Sequence, residues 1–266
     1  MCPIITVFGI HISSFLLFNT IGFVAGFILL GYRVHQSDIT GIPFWHLVVL
    51  ICGGAYVGSK IYYLFEAPRL FLKHPIEVFF SWNGSGWFGG FIACVTLLYL
   101  YMKHKGISLL HFLDVLIPAV PLGIIFGRFA CFMAGDGCYG IPTDLPWGMS
   151  FPHGVLPTLL KVHPTQLYEM AANLIILLIL LRIEKYSKGD GFLFGSYLVM
   201  GGMVRFAVEF IRLNPIAWWG LTAPQLISAG LFLWGMALLI RVFLAHRSLT
   251  ATTAAKPNPH IPGSVG

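Results

Sequence analysis

Between Phe112 and Gly140 the chain reads FLDVLIPAVPLGIIFGRFACFMAGDGCYG. Most of this stretch is apolar enough to lie in a bilayer, yet it carries Asp114 near one end, Arg128 deep inside and Asp136 just past the other end. A charged side chain at the centre of a membrane helix costs roughly 3 kcal/mol on insertion scales, so an intramembrane arginine is a functional-site hypothesis by default. The competing explanation is a structural arginine that pairs with a neighbouring carboxylate and ties two helices together. Pro118 and Pro121 lie in the same stretch. Each removes a backbone donor, so a bent or broken helix is expected there.

The rest of the chain repeats the apolar theme. A spanning helix needs about 20 mostly apolar residues, and seven candidates are expected, near Ser14 to Tyr32, Phe44 to Phe65, Gly89 to Met102, Phe112 to Met133, Thr165 to Arg182, Phe192 to Ile211 and Pro224 to Leu244. The third is short. Only 10% of the 266 residues are charged and 57% are hydrophobic, against about 25% charged in a soluble domain. The expectation is therefore an all-α polytopic membrane protein. It forms one seven-span domain over residues 1–246, with a Pro/Gly/Ala-rich disordered cytoplasmic tail over 247–266.

No cleavable signal peptide is expected, because no lysine or arginine precedes Arg33, and the first apolar segment is read as a retained span. Cytoplasmic loops retain Lys and Arg. With the N-terminus outside, the inner segments hold nine of these residues and the outer segments four, leaving Lys60, Arg128 and Arg205 within spans. That favours an outside N-terminus and a cytoplasmic C-terminus, and puts the long segment Ala134 to Pro164 on the outer face. The net charge of +6 comes from basic residues scattered at helix ends, with no cluster or stripe, so nucleic acid is not an expected partner. No internal repeat argues for an inverted-repeat transporter.

Polar groups gather at four places. Arg128 and Asp136 make the first. Arg205, Glu209 and Arg212 make the second, at i, i+4 and i+7, so all three project from one helix face. Glu209 is expected to pair with one arginine and leave the other for an anion; a salt-bridged helix end is the plainer alternative. His163, Gln166 and Glu169 make the third, where Pro164 suits a helix start. His163 is a candidate acid or base near neutral pH, or simply a residue that precedes a helix. Lys60, beside Tyr62 and Tyr63, is the fourth, and it either snorkels along its apolar stem or contributes to an anion site. The frequent glycines, among them Gly58, Gly89, Gly195 and Gly202, let membrane helices approach closely. Of the five cysteines, Cys131 and Cys138 flank the proposed site, and their separation matches no zinc or redox spacing. Three arginines on two spans suit bidentate binding of phosphate, and a phospholipid brings phosphate to this depth.

These residues resemble the prolipoprotein diacylglyceryl transferase family of bacterial inner membranes. Gly127-Arg128 followed by FACFMAGDGCYG is similar to that family's signature, and FLDVLIPAVPLG, DLPWGMSFP, HPTQLYE, RFAVEFIR and SKIYYLF follow its order over about residues 15 to 245. The chain departs from the pattern at several places. Phe88 stands where the family has the histidine of a His-Gly-Gly motif. Cys131 and Ala134 stand at two asparagine positions, Asp136 at a glutamate and Lys60 at an arginine. A span-one tyrosine is missing near Ile21.

The resemblance implies transfer of an sn-1,2-diacylglyceryl group from phosphatidylglycerol to the lipobox cysteine of a prolipoprotein signal peptide, with release of glycerol-1-phosphate and no metal or cofactor. It implies catalytic roles for Arg128, Arg205 and His163. It implies substrate binding by Arg128, Arg205, Glu209, Arg212, Asp136, Gln166, Glu169 and Lys60. Alternatives are a paralogue with another acceptor or headgroup, or a non-catalytic protein that binds anionic lipid.

Overall fold

The computed structural model describes residues 3–7, 10–39, 41–66, 76 and 87–254. The described chain is dominated by helices: α1 (Ser14–Gln36), α2 (Phe44–Glu66), α3 (Trp87–His104), α4 (Leu109–Leu116), α5 (Ala119–Ala134), α6 (Thr165–Ile183), α7 (Phe192–Glu209) and α8 (Ala223–Ala254). Five of them, α1, α2, α6, α7 and α8, are long and apolar enough to cross a membrane, and a sixth span results if α4 and α5 count as one bent crossing. The third span expected from sequence is helical, as α3, but is not among these; its last turn already carries Lys103 and His104.

Among the described residues there are three small antiparallel hairpins: β1 (Ile4–Val7) with β2 (Ile10–Ser13) before α1, β3 (Met149–Phe151) with β4 (Thr158–Val162) between α5 and α6, and β5 (Ile216–Trp218) with β6 (Leu221–Thr222) between α7 and α8. The hydropathy pattern gave no sign of them. By its internal contacts the chain divides into two compact units, Met1–Gly26 with Leu116–Gly266, and Phe27–Val115. The tail expected from Arg247 onward is helical to Ala254; residues 255–266 lie outside the described residues.

The break between α4 and α5 falls at Ile117 and Pro118, where the prolines place it. Pro118 has no N–H to offer the carbonyl of Asp114 four residues back. That carbonyl accepts Arg33 Nη2 at 3.3 Å, and the next, of Val115, accepts Arg33 Nε at 2.7 Å. An arginine in the last turn of α1 thus satisfies carbonyls that the broken helix leaves open.

In the unit of residues 27–115, α2 and α3 meet at Gly58 and Gly89. A Cβ on Gly58 would lie 2.5 Å from the Gly89 carbonyl oxygen, and one on Gly89 would lie 2.4 Å from that of Gly58. In the other unit, α7 lies along α8 through Gly195, Gly202 and Gly235; a Cβ on Gly202 would stand 2.9 Å from Ser228 O. Ile117, Ile176, Leu180, Phe192, Leu193 and Val242 form a buried cluster there. It fixes α6 and α7 side by side, and those helices carry the polar groups described next.

Candidate functional site

Glu169 is at the centre. It sits one turn into α6, on the same face as the apolar positions that α6 buries at Ile176 and Leu180, and its side chain is only 5% exposed. A buried carboxylate needs partners, and three arginines supply them. Arg128, from the second half of α5, places Nε against Glu169 Oε2. Arg205, from α7, places Nη1 3.1 Å from Oε1. Arg212 reaches the same Oε1 at 3.1 Å. Arg205 also holds Glu209, with Nη2 3.0 Å from Oε2. Glu209 Oε1 accepts hydrogen bonds from Asn214 Nδ2 at 2.6 Å and Thr222 Oγ1 at 2.9 Å.

This arrangement differs from the expected pairings. Arg128 pairs with Glu169, not with Asp136. Asp136 instead turns its carboxylate to the backbone N–H of Cys138 at 3.1 Å. Glu209 does not leave Arg212 free, because Arg212 is taken by Glu169. Arg212 is also not on the helix. α7 ends at Glu209, and Arg212 lies in an extended segment whose backbone bridges Gly140. A Cβ on Gly140 would fall 2.3 Å from Ile211 O, so only glycine lets the two strands of chain come this close. That contact carries Arg212 to the cluster, and no helical periodicity could reveal it.

The remaining predicted residues divide. His163 precedes α6, and its Nδ1 lies 3.2 Å from Tyr168 OH, which also accepts Trp147 Nε1 at 2.8 Å. The structure thus pairs the His163 ring with Tyr168. Gln166, one turn before Glu169, is fully buried, and among the described residues neither its Oε1 nor its Nε2 has a hydrogen-bond partner. Lys60 belongs to the other unit, on α2, and is buried to 1% rather than snorkelling outward; its Nζ lies 5.8 Å from the Tyr56 ring centroid. Phe88 is in the first turn of α3, and its side chain is outside the described residues.

Two features were not legible in sequence. Asn214 and Thr222 fix Glu209 from loop and hairpin, where no spacing rule applies. Cys138, half-buried, returns to Cys131 and lies against Arg212. Its thiol is lowered to about 7, first by the hydrogen bond from Cys131 and also by Arg212.

The ion-paired set holds three guanidinium charges and two carboxylates, a net charge of +1. Glu169 is sealed, but the side chains of Arg128 and Arg205 remain 24% and 30% exposed. Part of each of these two arginine side chains therefore remains accessible while a shared carboxylate holds both guanidinium groups.

A sequence profile for Prolipoprotein diacylglyceryl transferase matches residues 3–241. The chain belongs to the prolipoprotein diacylglyceryl transferase family. The chain is 33% identical to the phosphatidylglycerol–prolipoprotein diacylglyceryl transferase of Methylococcus capsulatus, covering 92% of this chain and 97% of that one. It is 33% identical to the enzyme of that name from Bordetella avium, over 79% of each. It is 30% identical to that of Finegoldia magna, over 89% of this chain and 93% of the relative. Among transferases of this family, the present chain is thus a multi-pass membrane protein whose buried arginine–glutamate cluster spans α5, α6, α7 and the segment beyond.

Proposed function

We propose that this chain transfers the diacylglyceryl group of phosphatidylglycerol to the lipobox cysteine of prolipoproteins, in the cytoplasmic membrane of a bacterium, with the Glu169-centred arginines holding the lipid phosphate. The observation that carries this is the convergence of Arg128 and Arg205 on one carboxylate, with both side chains still partly exposed. A phosphodiester enters with one negative charge. When the acceptor sulfur attacks the glycerol carbon, an S–C bond forms and the C–O bond to phosphate breaks, so glycerol-1-phosphate leaves with a second negative charge. Groups aimed at charge that develops in the transition state lower the barrier. A set with one unbalanced guanidinium meets that demand. The attacking group is the thiolate, and its proton passes to solvent or to the departing phosphate, whose second pKa is about 6.

Gln166 supports the same reading. A buried amide without partners costs roughly 1–3 kcal/mol per unsatisfied group. One turn from Glu169, its donor and acceptor suit the hydroxyls of a glycerol headgroup. His163, hydrogen-bonded to Tyr168 at the start of α6, is the candidate acid or base in this scheme.

Phe88 favours a second reading, in which the lipid site is kept but the acceptor or headgroup differs, because phenylalanine cannot take a proton. The experiment is complementation. The chain is expressed in cells depleted of their own transferase, and prolipoprotein modification is followed. Restored modification that is lost with Arg128→Ala supports the first reading. Phosphatidylglycerol turnover by the purified protein without rescue supports the second. Lipid binding with neither leaves a non-catalytic protein.

A further inference from the structure

We propose that Cys131, Asp136 and Cys138 form a binding site for a thiophilic divalent metal ion, zinc(II) in the first instance. The two sulfur atoms and a carboxylate oxygen all lie within 4.8 Å of one another. Local geometry brings them there. Cys131 is in the last turn of α5. Beyond Ala134 the chain turns through Gly135, at φ 61°, whose N–H bonds Cys131 O, and then Gly137, at φ 85°. Both conformations suit glycine. The Asp136 carboxylate caps the Cys138 N–H, so the turn closes and Cys138 comes back over the helix end.

The loop is held independently of any ion. Val155 N–H donates to Ala134 O and Leu156 N–H to Gly135 O, each at 2.9 Å, and Thr165 Oγ1 donates to Cys138 O. The donors are thus preorganised, which lowers the cost of binding. Tetrahedral zinc, with Zn–S near about 2.3 Å, places two thiolates about 3.8 Å apart, within reach of the spacing present. Two sulfurs select zinc or cobalt over magnesium or calcium. Three protein ligands leave the fourth position for water or an anion, as in open zinc sites.

Two thiolates, a carboxylate and a divalent ion sum to −1. Arg212 lies against Cys138, and Arg128 is near enough to both thiols to interact with them electrostatically. Their guanidinium groups complement that remaining charge. A disulfide would use only two of the three clustered donors. The site does not depend on the lipid-transfer reading, and its test does not use activity.

Full-length protein, purified in detergent, reduced and stripped by chelator, is titrated with cobalt(II). The expected result is thiolate-to-cobalt charge transfer in the near ultraviolet with tetrahedral ligand-field bands, saturating at one equivalent and displaced by zinc(II). A variant with Cys2, Cys52 and Cys94 changed to Ser keeps these bands. Cys138→Ser and Cys131→Ser lose the charge transfer, and Asp136→Asn, which keeps both thiols, shifts the ligand-field bands. The proposal is overturned by reduced protein that gives no such bands, by bands that persist in the Cys131→Ser/Cys138→Ser double variant, or by recovery of the pair as a disulfide without bound metal.

Discussion

Glu169 Oε1 stands 3.1 Å from Arg205 Nη1, so a carboxylate of α6 aims a guanidinium of α7. With Arg128 and Arg212 on the same carboxylate, one buried acid positions three bases drawn from separate elements.

Removing that acid is expected to destabilise the protein. Glu169→Ala leaves three guanidinium groups crowded with one carboxylate, and breaking a buried ion pair from one side costs roughly 3–5 kcal/mol. The midpoint of thermal unfolding in detergent falls well below wild type. Glu169→Gln, which keeps an acceptor but not the charge, falls less. A midpoint equal to wild type in Glu169→Ala would show that the cluster does not hold α5, α6 and α7 together.

Arg128→Ala and Arg205→Ala are expected to lower prolipoprotein modification by about 10²–10³-fold, the usual loss for one donor to a developing anion. Arg205→Lys recovers little, because a single ammonium cannot serve Glu169, Glu209 and a phosphate with the fork of a guanidinium. The rate of diacylglyceryl transfer by purified variants checks this. Full activity in Arg205→Lys would mean that only charge matters there.

Phe88→His is expected to raise activity. It introduces a group that can accept a proton at the start of α3, where the family resemblance implies a histidine. Side-by-side transfer rates of the wild type and the variant decide the point, and a fall would remove position 88 from the proposed reaction path.

The α2–α3 contact gives a test of packing. Gly58→Ala and Gly89→Ala push a Cβ to 2.5 and 2.4 Å from a carbonyl oxygen of the facing helix, and overpacking of this kind costs about 1–3 kcal/mol. Gly53→Ala, with nothing within 4 Å of its Cβ, gains about 0.5–1 kcal/mol from better helix propensity. Thermal midpoints of the three variants should order accordingly.

The proline break at Pro118 and the helical course of α1, α2, α6, α7 and α8 could be read from residue order. Apolar runs and missing backbone donors act locally, over a few turns. Arg212 shows the opposite case. Its i+7 spacing from Arg205 suggested a shared helix face, but α7 stops at Glu209 and the residue arrives through a backbone bridge to Gly140. The partner of His163 is likewise not given by its place beside Gln166 and Glu169: its ring turns toward Tyr168. Cys131 and Cys138 looked unrelated by spacing because two left-handed glycines, not a regular element, bring them together.

The sequence by itself determined that the chain is helical and membrane-embedded, where the helix at Pro118 breaks, and which arginines lie among apolar residues, because hydropathy and backbone chemistry act within one segment. Only the tertiary structure decided which carboxylate each arginine meets. That choice depends on the packing of α5, α6 and α7 and on the Gly140–Arg212 contact, which join residues far apart in the chain, and Coulomb attraction then selects Glu169 as the acid all three can reach.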